Sequence, residues 1–484
     1  MGEDSCWAET PVVVDDEARE DGVLRLVVTA DNHLSAFTPK LSPQRLSERR
    51  ERLRMAFSRV VDEAIARRAH LFLQAGDLFD STDPRNLERA FVATQLMRLR
   101  AAGIQTFGIG GNHDTPRQRT EHGGYAPQGV YAHLGGLRYF TESRRIEPVL
   151  VEAGGLRVAV AGLSFDPGAA PGSDPLDGVM VEDPDGNLAR ADLGILMLHA
   201  AIEGHGFPAE DDSTVRRASI ERLTSGFNVV LAGHIHAYAR FHVAEKDVVV
   251  CGPTERMTFG EAEGKPGFAY LEVSRAGLSY AEHIAIPSQP RHIVTIRTSE
   301  LWPQKQRVPA LPDSTTMPEA DTTDGLTDAA SPVLASDADS NPSTISSADA
   351  MPAPAADGAA EHTTRMILSR IEPYCTPDAM LRLCLTGPIT REQYRALDLR
   401  RIWLIAQRQA FSCELDESNL FLMERGSREQ VARGERVAPH DMLEQIAHEW
   451  IEGAQSPEER ALFARTRERV LASYAHLVGR EATR

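Results

Sequence analysis

A chain of 484 residues exceeds one ordinary domain, and its 42% hydrophobic content is enough for a sizeable core. No run approaches the ~18 apolar residues that cross a bilayer, and the acidic start "MGEDSCWAETPVVVDDEAREDG" lacks the parts of a signal peptide, so a cytoplasmic protein without membrane contact is expected. The net charge of −18 excludes less than it suggests, because residues 1–22 carry eight acids against one Arg and residues 308–364 carry ten acids with no Lys or Arg.

The remainder is near neutral. Exposed charges more than ~8 Å apart are largely screened at physiological salt, so acidic tails need not repel a distant polyanion. Residues 1–22 are expected to be disordered. "LRLVVTA" (24–30) reads as a strand, and 43–68 as a helix with Leu46, Leu53, Phe57, Val60, Val61, Ala64 and Ile65 on one face. Next come a strand at 71–76, a helix at 85–101 and a strand at 104–110. Further strands are expected at 156–164, 194–200, 228–234, 247–252 and 267–273. The first half suggests a doubly wound α/β unit, and the strand-rich second half a β-sandwich flanked by helices.

"RHIVTIR" (291–297) reads as a strand. Residues 308–364 have no aromatic residue and are rich in Pro, Ala, Ser, Thr and Asp, the composition of a disordered acidic linker. Beyond it, 379–387 reads as a strand followed by a helix from Thr390, and 438–453 and 457–478 read as helices. Cys6, Cys251, Cys375, Cys384 and Cys413 form no Cys-x-x-Cys pair and read as reduced packing residues.

Five polar clusters recur at the C-terminal ends of predicted strands: "ADNH" (30–33), "GDLFD" (76–80), "GNHD" (111–114), "LHA" (198–200) and "GHIH" (233–236). Each alone reads as a turn. Together they supply Asp31, His33, Asp77, Asn112, His199, His234 and His236, a mixed imidazole, carboxylate and amide set suited to divalent ions such as manganese or iron. In extended backbone residues i and i+2 point to one side, so Asp31/His33 and His234/His236 are expected to act as pairs. Seven donors exceed what one ion needs, and two ions ~3.5–4 Å apart, bridged by Asp77, match the count.

That ordered set resembles the calcineurin-like metallophosphoesterase superfamily. The resemblance implies an α/β fold, a β-sandwich flanked by helices with a binuclear centre at its edge, followed by a small α+β capping domain and C-terminal helices. It implies that Asp31, His33, Asp77 and His236 hold one ion and Asp77, Asn112, His199 and His234 the other. His113 would protonate the leaving oxygen, and Asp114 would orient its ring. "GDLFDSTDP", "LHAAIEGH", "CGPTERMTFGEAEGKPGFAYLEV" and "RLCLTGPITREQY" resemble the SbcD-type DNA-repair nucleases more closely, bacterial counterparts of the meiotic-recombination break-repair nuclease. This implies a manganese-dependent nuclease acting on DNA as a homodimer, with an SbcC-type SMC-like ATPase as partner. Asp80 stands where archaeal and eukaryotic relatives commonly carry His, and it is left without a role.

The organisation expected is thus 1–22, a nuclease domain at 23–290, a first cap strand at 291–307, the linker at 308–364, a cap at 365–430, and C-terminal helices at 431–484 that bind the ATPase. Leu443, Ile446, Trp450 and Tyr474 are the residues expected at that surface, against plain self-packing of two amphipathic helices within 438–478. Arg117, Arg119, His122 and Tyr125, in the loop after "GNHD", are candidates for contacts to DNA phosphate and sugar, against a plain surface loop. Two other readings stay open: a small-molecule phosphodiesterase or phosphatase on the same core, and a non-catalytic scaffold for the ATPase.

Overall fold

A computed structural model describes residues 22–118, 124–205, 213–223, 226–261, 264–302, 356–423, 447–448, 451, 456 and 460–471. Its main strands are β1 (Val23–Thr29), β2 (Leu71–Ala75), β3 (Gln105–Ile109), β4 (Arg138–Phe140), β5 (Val149–Ala153), β6 (Leu156–Leu163), β7 (Leu193–His199), β8 (Val229–Gly233), β9 (Ala239–Val243), β10 (Lys246–Val250), β11 (Gly267–Ser274) and β12 (Gly277–Ala285). β13 (Arg291–Arg297), β14 (Met380–Thr390) and β15 (Ser412–Met423) follow. The long helices are α1 (Pro43–Ala66) and α2 (Asn86–Ala101), then α3 (Ala356–Ile371) and α4 (Leu399–Gln409).

Two six-stranded sheets, ordered β12-β11-β1-β2-β3-β4 and β9-β10-β8-β7-β6-β5, stack face to face. Side-chain alternation explains the layers. Leu24, Leu26, Val28, Leu71 and Leu73 share one cluster with Val158, Ile195, Met197, Val229 and Leu231 of the second sheet. The intervening Val27 and Phe72 turn the other way, onto Leu53, Phe57, Val60 and Val61 of α1 and Val92, Leu96 and Leu99 of α2. On the second sheet, Leu196, Leu198, Val230 and Ala232 face outward onto Ile220, Val215 and Phe227.

The doubly wound expectation for the first half is therefore corrected. Its strands run in the unreversed order β1-β2-β3-β4, and right-handed parallel crossovers that all step the same way place their helices on one face only. The other face is left apolar and is covered by the second sheet.

α1 starts as its sequence suggests, with Ser42 Oγ accepting from Arg45 N at 3.3 Å and Pro43 in the first turn. It also buries Arg49, whose guanidinium donates to Gln289 Oε1 at 3.0 Å and lies 3.3 Å from Glu255 Oε1.

Contacts divide the chain into two units, Met1–Val294 with Leu368–Cys384 and Ile402–Asp416, and Thr295–Ile367 with Leu385–Arg401 and Glu417–Arg484. A three-stranded sheet has the order β13-β14-β15. The helix expected from Thr390 is broken in two, because Thr390 caps a short turn at Arg391–Arg395 and Asp398 Oδ1 accepts from Arg401 N at 3.0 Å to open α4. The expected linker 308–364 ends early: α3 begins at Ala356 and buries Thr363, Thr364, Ile367 and Ile371. An Ala-rich lead into an apolar stripe favours helix where composition alone suggests disorder. Most of 1–22, 308–355 and 438–453 lies outside the described residues, as do Leu443, Ile446, Trp450 and Tyr474, while 460–471 is helical. Among the described residues Cys251, Cys375, Cys384 and Cys413 are free thiols, and no helix is long and apolar enough to cross a membrane.

Candidate metal centre

Each polar cluster stands where a core strand gives way to a turn. Asp31 and His33 follow β1, Asp77 and Asp80 follow β2, Asn112 and His113 follow β3, His199 closes β7, and His234 and His236 follow β8. β1, β2 and β3 are parallel in one sheet, and β7 and β8 in the other. Their C-terminal ends meet at one edge, where His199 Nδ1 donates to the Ala75 carbonyl at 2.8 Å.

The backbone there is not extended. Asp31, His33, Asp77 and His234 take φ of +49°, +44°, +52° and +86°. The expected i, i+2 pairing is thus corrected in its reason: left-handed turn residues aim these side chains. Each such non-glycine residue costs roughly 1–2 kcal/mol and persists only when its surroundings hold it. Here Asp31 N donates to Gly76 O at 3.1 Å, His33 N to Asp77 O at 3.1 Å, and His234 N to both Asp31 carboxylate oxygens at 3.0 and 3.1 Å.

The seven expected donors come together. His33 Nε2 lies 3.2 Å from His236 Nε2 and 3.8 Å from Asp77 Oδ2. His199 Nε2 is 3.3 Å from Asp77 Oδ2, 3.1 Å from Asn112 Oδ1 and 3.9 Å from Asp31 Oδ1. His234 Nδ1 is 3.0 Å from Asn112 Oδ1, and His236 Nε2 is 3.9 Å from Asp31 Oδ1. In each of three overlapping trios, Asp31/His33/His236, His33/Asp77/His113 and Asp31/Asp77/His199, ligand atoms lie within 4.8 Å of one another. Two glycines make this density possible: a Cβ on Gly76 would stand 2.2 Å from His199 Nδ1, and one on Gly111 2.1 Å from Asp77 Oδ1. Hard and borderline donors packed this closely suit divalent cations.

Residues 24–238 match the family model of the calcineurin-like phosphoesterases. This segment is a calcineurin-like phosphoesterase domain. The chain is also similar to proteins named DNA double-strand break repair protein Mre11. The Methanosarcina mazei protein is 28% identical over 57% of this chain and 40% of its own length. That of Saccharolobus solfataricus is 25% identical over 53% of this chain and 63% of its own. An uncharacterized metallophosphoesterase, YhaO of Bacillus subtilis, is 26% identical over 46% of this chain and 50% of its own length. The matches thus span about half the length of these relatives.

In the phosphoesterase domain, burial disfavours a charged His33, but the Asp80 hydrogen bond and the Asp77 and Asp31 charges outweigh it and raise its pKa to about 9. Burial acts likewise on His199, and Asp77 above all raises it to about 10. Burial pushes Asp77 up, yet His199 and His33 hold it well below the usual carboxylate range. A cation in this site therefore competes with protons held by its imidazoles.

His113 stands at the rim, 44% exposed, its ring centroid 4.7 Å from that of His33. The expected orienting role of Asp114 is corrected. Asp114 is fully buried and accepts from Phe79 N at 3.1 Å, Gly111 N at 2.9 Å and the Gln128 amide, so it pins the turn beneath the site. Burial, with the Asp77 charge, raises its pKa to about 7 against those backbone donors. The carboxylate beside the His113 ring is Asp80: His113 Nδ1 lies 3.3 Å from its carbonyl oxygen and 3.7 Å from Oδ1. Sequence reasoning set Asp80 aside and did not single out Glu261, 3.1 Å from His236 Nδ1. Both lie in quoted motifs, but only spatial proximity marks them.

A cavity of about 220 Å³ opens beside His113, lined by Ser81, Thr82, Thr115 and Arg117. Tyr125 is 67% exposed, its ring centroid 6.3 Å from that of His133. Arg119 and His122 lie outside the described residues.

Proposed function

We propose that this chain is the nuclease subunit of an SbcD-type DNA-repair system, hydrolysing DNA phosphodiester bonds in double-strand break repair. The observation that carries the reading is the convergence of seven donors around Asp77, with an exposed imidazole, His113, at the edge. The names of the archaeal relatives support DNA as the substrate class. Asp31, His33, Asp77 and His236 would hold one divalent ion, and Asp77, Asn112, His199 and His234 a second, manganese being our choice for both. Bound ions would neutralise charge at phosphorus and lower the pKa of the attacking water.

The chain's own groups do the rest. Asp77 Oδ1 accepts from His113 N at 2.9 Å, which ties the donor cluster to the acid while leaving Oδ2 to the ions. His113 donates its proton to the departing oxygen as water adds to phosphorus. Ser81, Thr82 and Arg117 offer polar contacts without an aromatic face, as suits a sugar–phosphate backbone read without regard to sequence. Arg119, His122 and Tyr125 are the further candidates for contacts to DNA. We further infer a cytoplasmic, nucleoid-associated homodimer working with an SbcC-type SMC-like ATPase bound at 431–484, through Leu443, Ile446, Trp450 and Tyr474. The domain plan is that given above save that the linker stops where α3 begins at Ala356, with a nuclease domain at 23–290 and a cap at 365–430.

The test compares variants in a manganese-dependent DNA cleavage assay alongside bound-metal analysis. His113→Ala is expected to lose cleavage by at least ~100-fold while keeping its metal, and Asp77→Ala to lose both. Full cleavage by purified His113→Ala would overturn the assignment of the acid. A preference for cyclic nucleotides over DNA would instead select the small-molecule phosphodiesterase reading, and metal content near zero the scaffold reading.

A further inference from the structure

We propose that Gln128, which belongs to none of the five polar clusters, is a positioning residue: acting through Asp114, it fixes where His113 stands relative to the departing oxygen. This rests on the reading of His113 as the acid. Gln128 immediately precedes the short helix Gly129–His133. It is 1% exposed, and its side-chain amide donates to Asp114 Oδ2.

Asp114 passes that contact on in two directions. Its Oδ1 accepts from Gly111 N at 2.9 Å, which holds the start of the turn that carries His113. Its Oδ2 also accepts from Phe79 N at 3.1 Å. Phe79 precedes Asp80, whose carbonyl oxygen lies 3.3 Å from His113 Nδ1. One buried carboxylate thus joins the backbone that bears the His113 ring to the backbone that the ring touches, and Gln128 is the side chain that donates to it.

Gln128 is itself held. Its carbonyl oxygen accepts from Tyr131 N at 3.0 Å, and the Tyr131 ring stacks on Phe79 with centroids 6.5 Å apart. Tyr131 Oη donates to the Arg89 carbonyl of α2 at 2.9 Å. Gln128 Oε1, in contrast, is buried without a hydrogen-bond partner. Burying that oxygen offsets what the donated bond contributes to folding, so the amide adds little stability and acts on where Asp114 sits. Without it Asp114 keeps its two backbone donors but gains freedom, and a small displacement of a catalytic acid costs rate steeply.

Manganese-dependent hydrolysis of a linear duplex DNA and of bis(p-nitrophenyl) phosphate by the full chain, with bound-metal analysis and thermal melts, tests this. p-Nitrophenolate departs without a proton, whereas the alkoxide leaving from DNA takes one, so lost placement of the acid shows chiefly on DNA. Gln128→Met is nearly isosteric and lacks both the donor and the unpartnered oxygen. It should lower kcat on DNA about 10-fold more than on the chromogenic diester, with the KM for DNA within about twofold. Its metal content should be unchanged and its Tm within about 4 °C. His113→Ala should show the same bias toward DNA. In an Asp114→Ala background Gln128→Met should cost no further rate, because the bond it removes is already gone. Equal losses on the two substrates, a loss confined to KM, or a further loss in the Asp114→Ala background would overturn the proposal. A DNA-biased loss in His113→Ala with none in Gln128→Met would overturn it while leaving the assignment of the acid intact. Full DNA cleavage by His113→Ala would overturn both.

Discussion

Replacing Gly76 by alanine isolates the tightest contact in the site. Gly76 has φ +91°, and an added Cβ would lie 2.2 Å from His199 Nδ1, 2.6 Å from its Cγ and 2.9 Å from its Cβ. Ring rotation cannot relieve a clash that includes the His199 Cβ, so the ends of β2 and β7 must move apart. The left-handed alanine costs roughly 1–2 kcal/mol. Losing the buried bond from His199 Nδ1 to Ala75 O costs about 1–3 kcal/mol more. The sum, about 2–5 kcal/mol, is a large part of the ~5–15 kcal/mol that holds a domain, so folding should persist while His199 is displaced. Gly178→Ala is the control, because Gly178 has φ +72° and nothing within 4 Å of an added Cβ. Urea unfolding should show only about 1–2 kcal/mol lost in Gly178→Ala, and bound metal should fall only in Gly76→Ala. Equal losses in the two variants, with metal content unchanged, would refute the argument.

Asp114→Ala strips the acceptor from two buried amides, Phe79 N and Gly111 N, and should cost about 2–5 kcal/mol in urea unfolding, with Asp114→Asn milder because one oxygen remains. A loss below about 1 kcal/mol would count against its role as the pin of the turn. Arg49→Leu leaves Glu255 buried without its partner and should cost about 3–5 kcal/mol, part of which Glu255→Gln in the same chain should restore. For pH, the folded-state values of His33 and His199 are raised to about 9 and about 10, above the ordinary imidazole value of about 6.5. Their contribution is fully present below about pH 6.5 and is lost as pH rises through 9–10, so the metal-free Tm should fall across that range. Saturating manganese, which replaces those protons, should flatten the fall, and a flat metal-free profile would contradict the shifts.

Local pattern carried much of the fold. The stripe of Leu53, Phe57, Val60, Val61 and Ala64 on α1 is buried as its spacing requires, because a helix presents one face whatever lies opposite. The strand ends after β1, β2, β3, β7 and β8 were legible for a similar reason: an apolar run that stops at a polar turn marks where a parallel strand surfaces. Composition was a weaker guide at the linker, where Ala356–Ile371 is helical and buries Ile367 and Ile371.

By itself the sequence determined which residues could donate, namely two Asp, one Asn and four His at the ends of strands, and the strand and helix periods that bring them to the surface. Tertiary structure alone decided the rest. The unreversed strand order put the helices on one face and so required a second sheet, whose β7 and β8 supply His199, His234 and His236. It put Asp80, distant in sequence, beside the His113 ring, and sent the adjacent Asp114 into the core. Neighbours along a turn point in different directions, whereas residues on adjacent parallel strand ends converge, so the carboxylate next to His113 in sequence is not the one next to it in space.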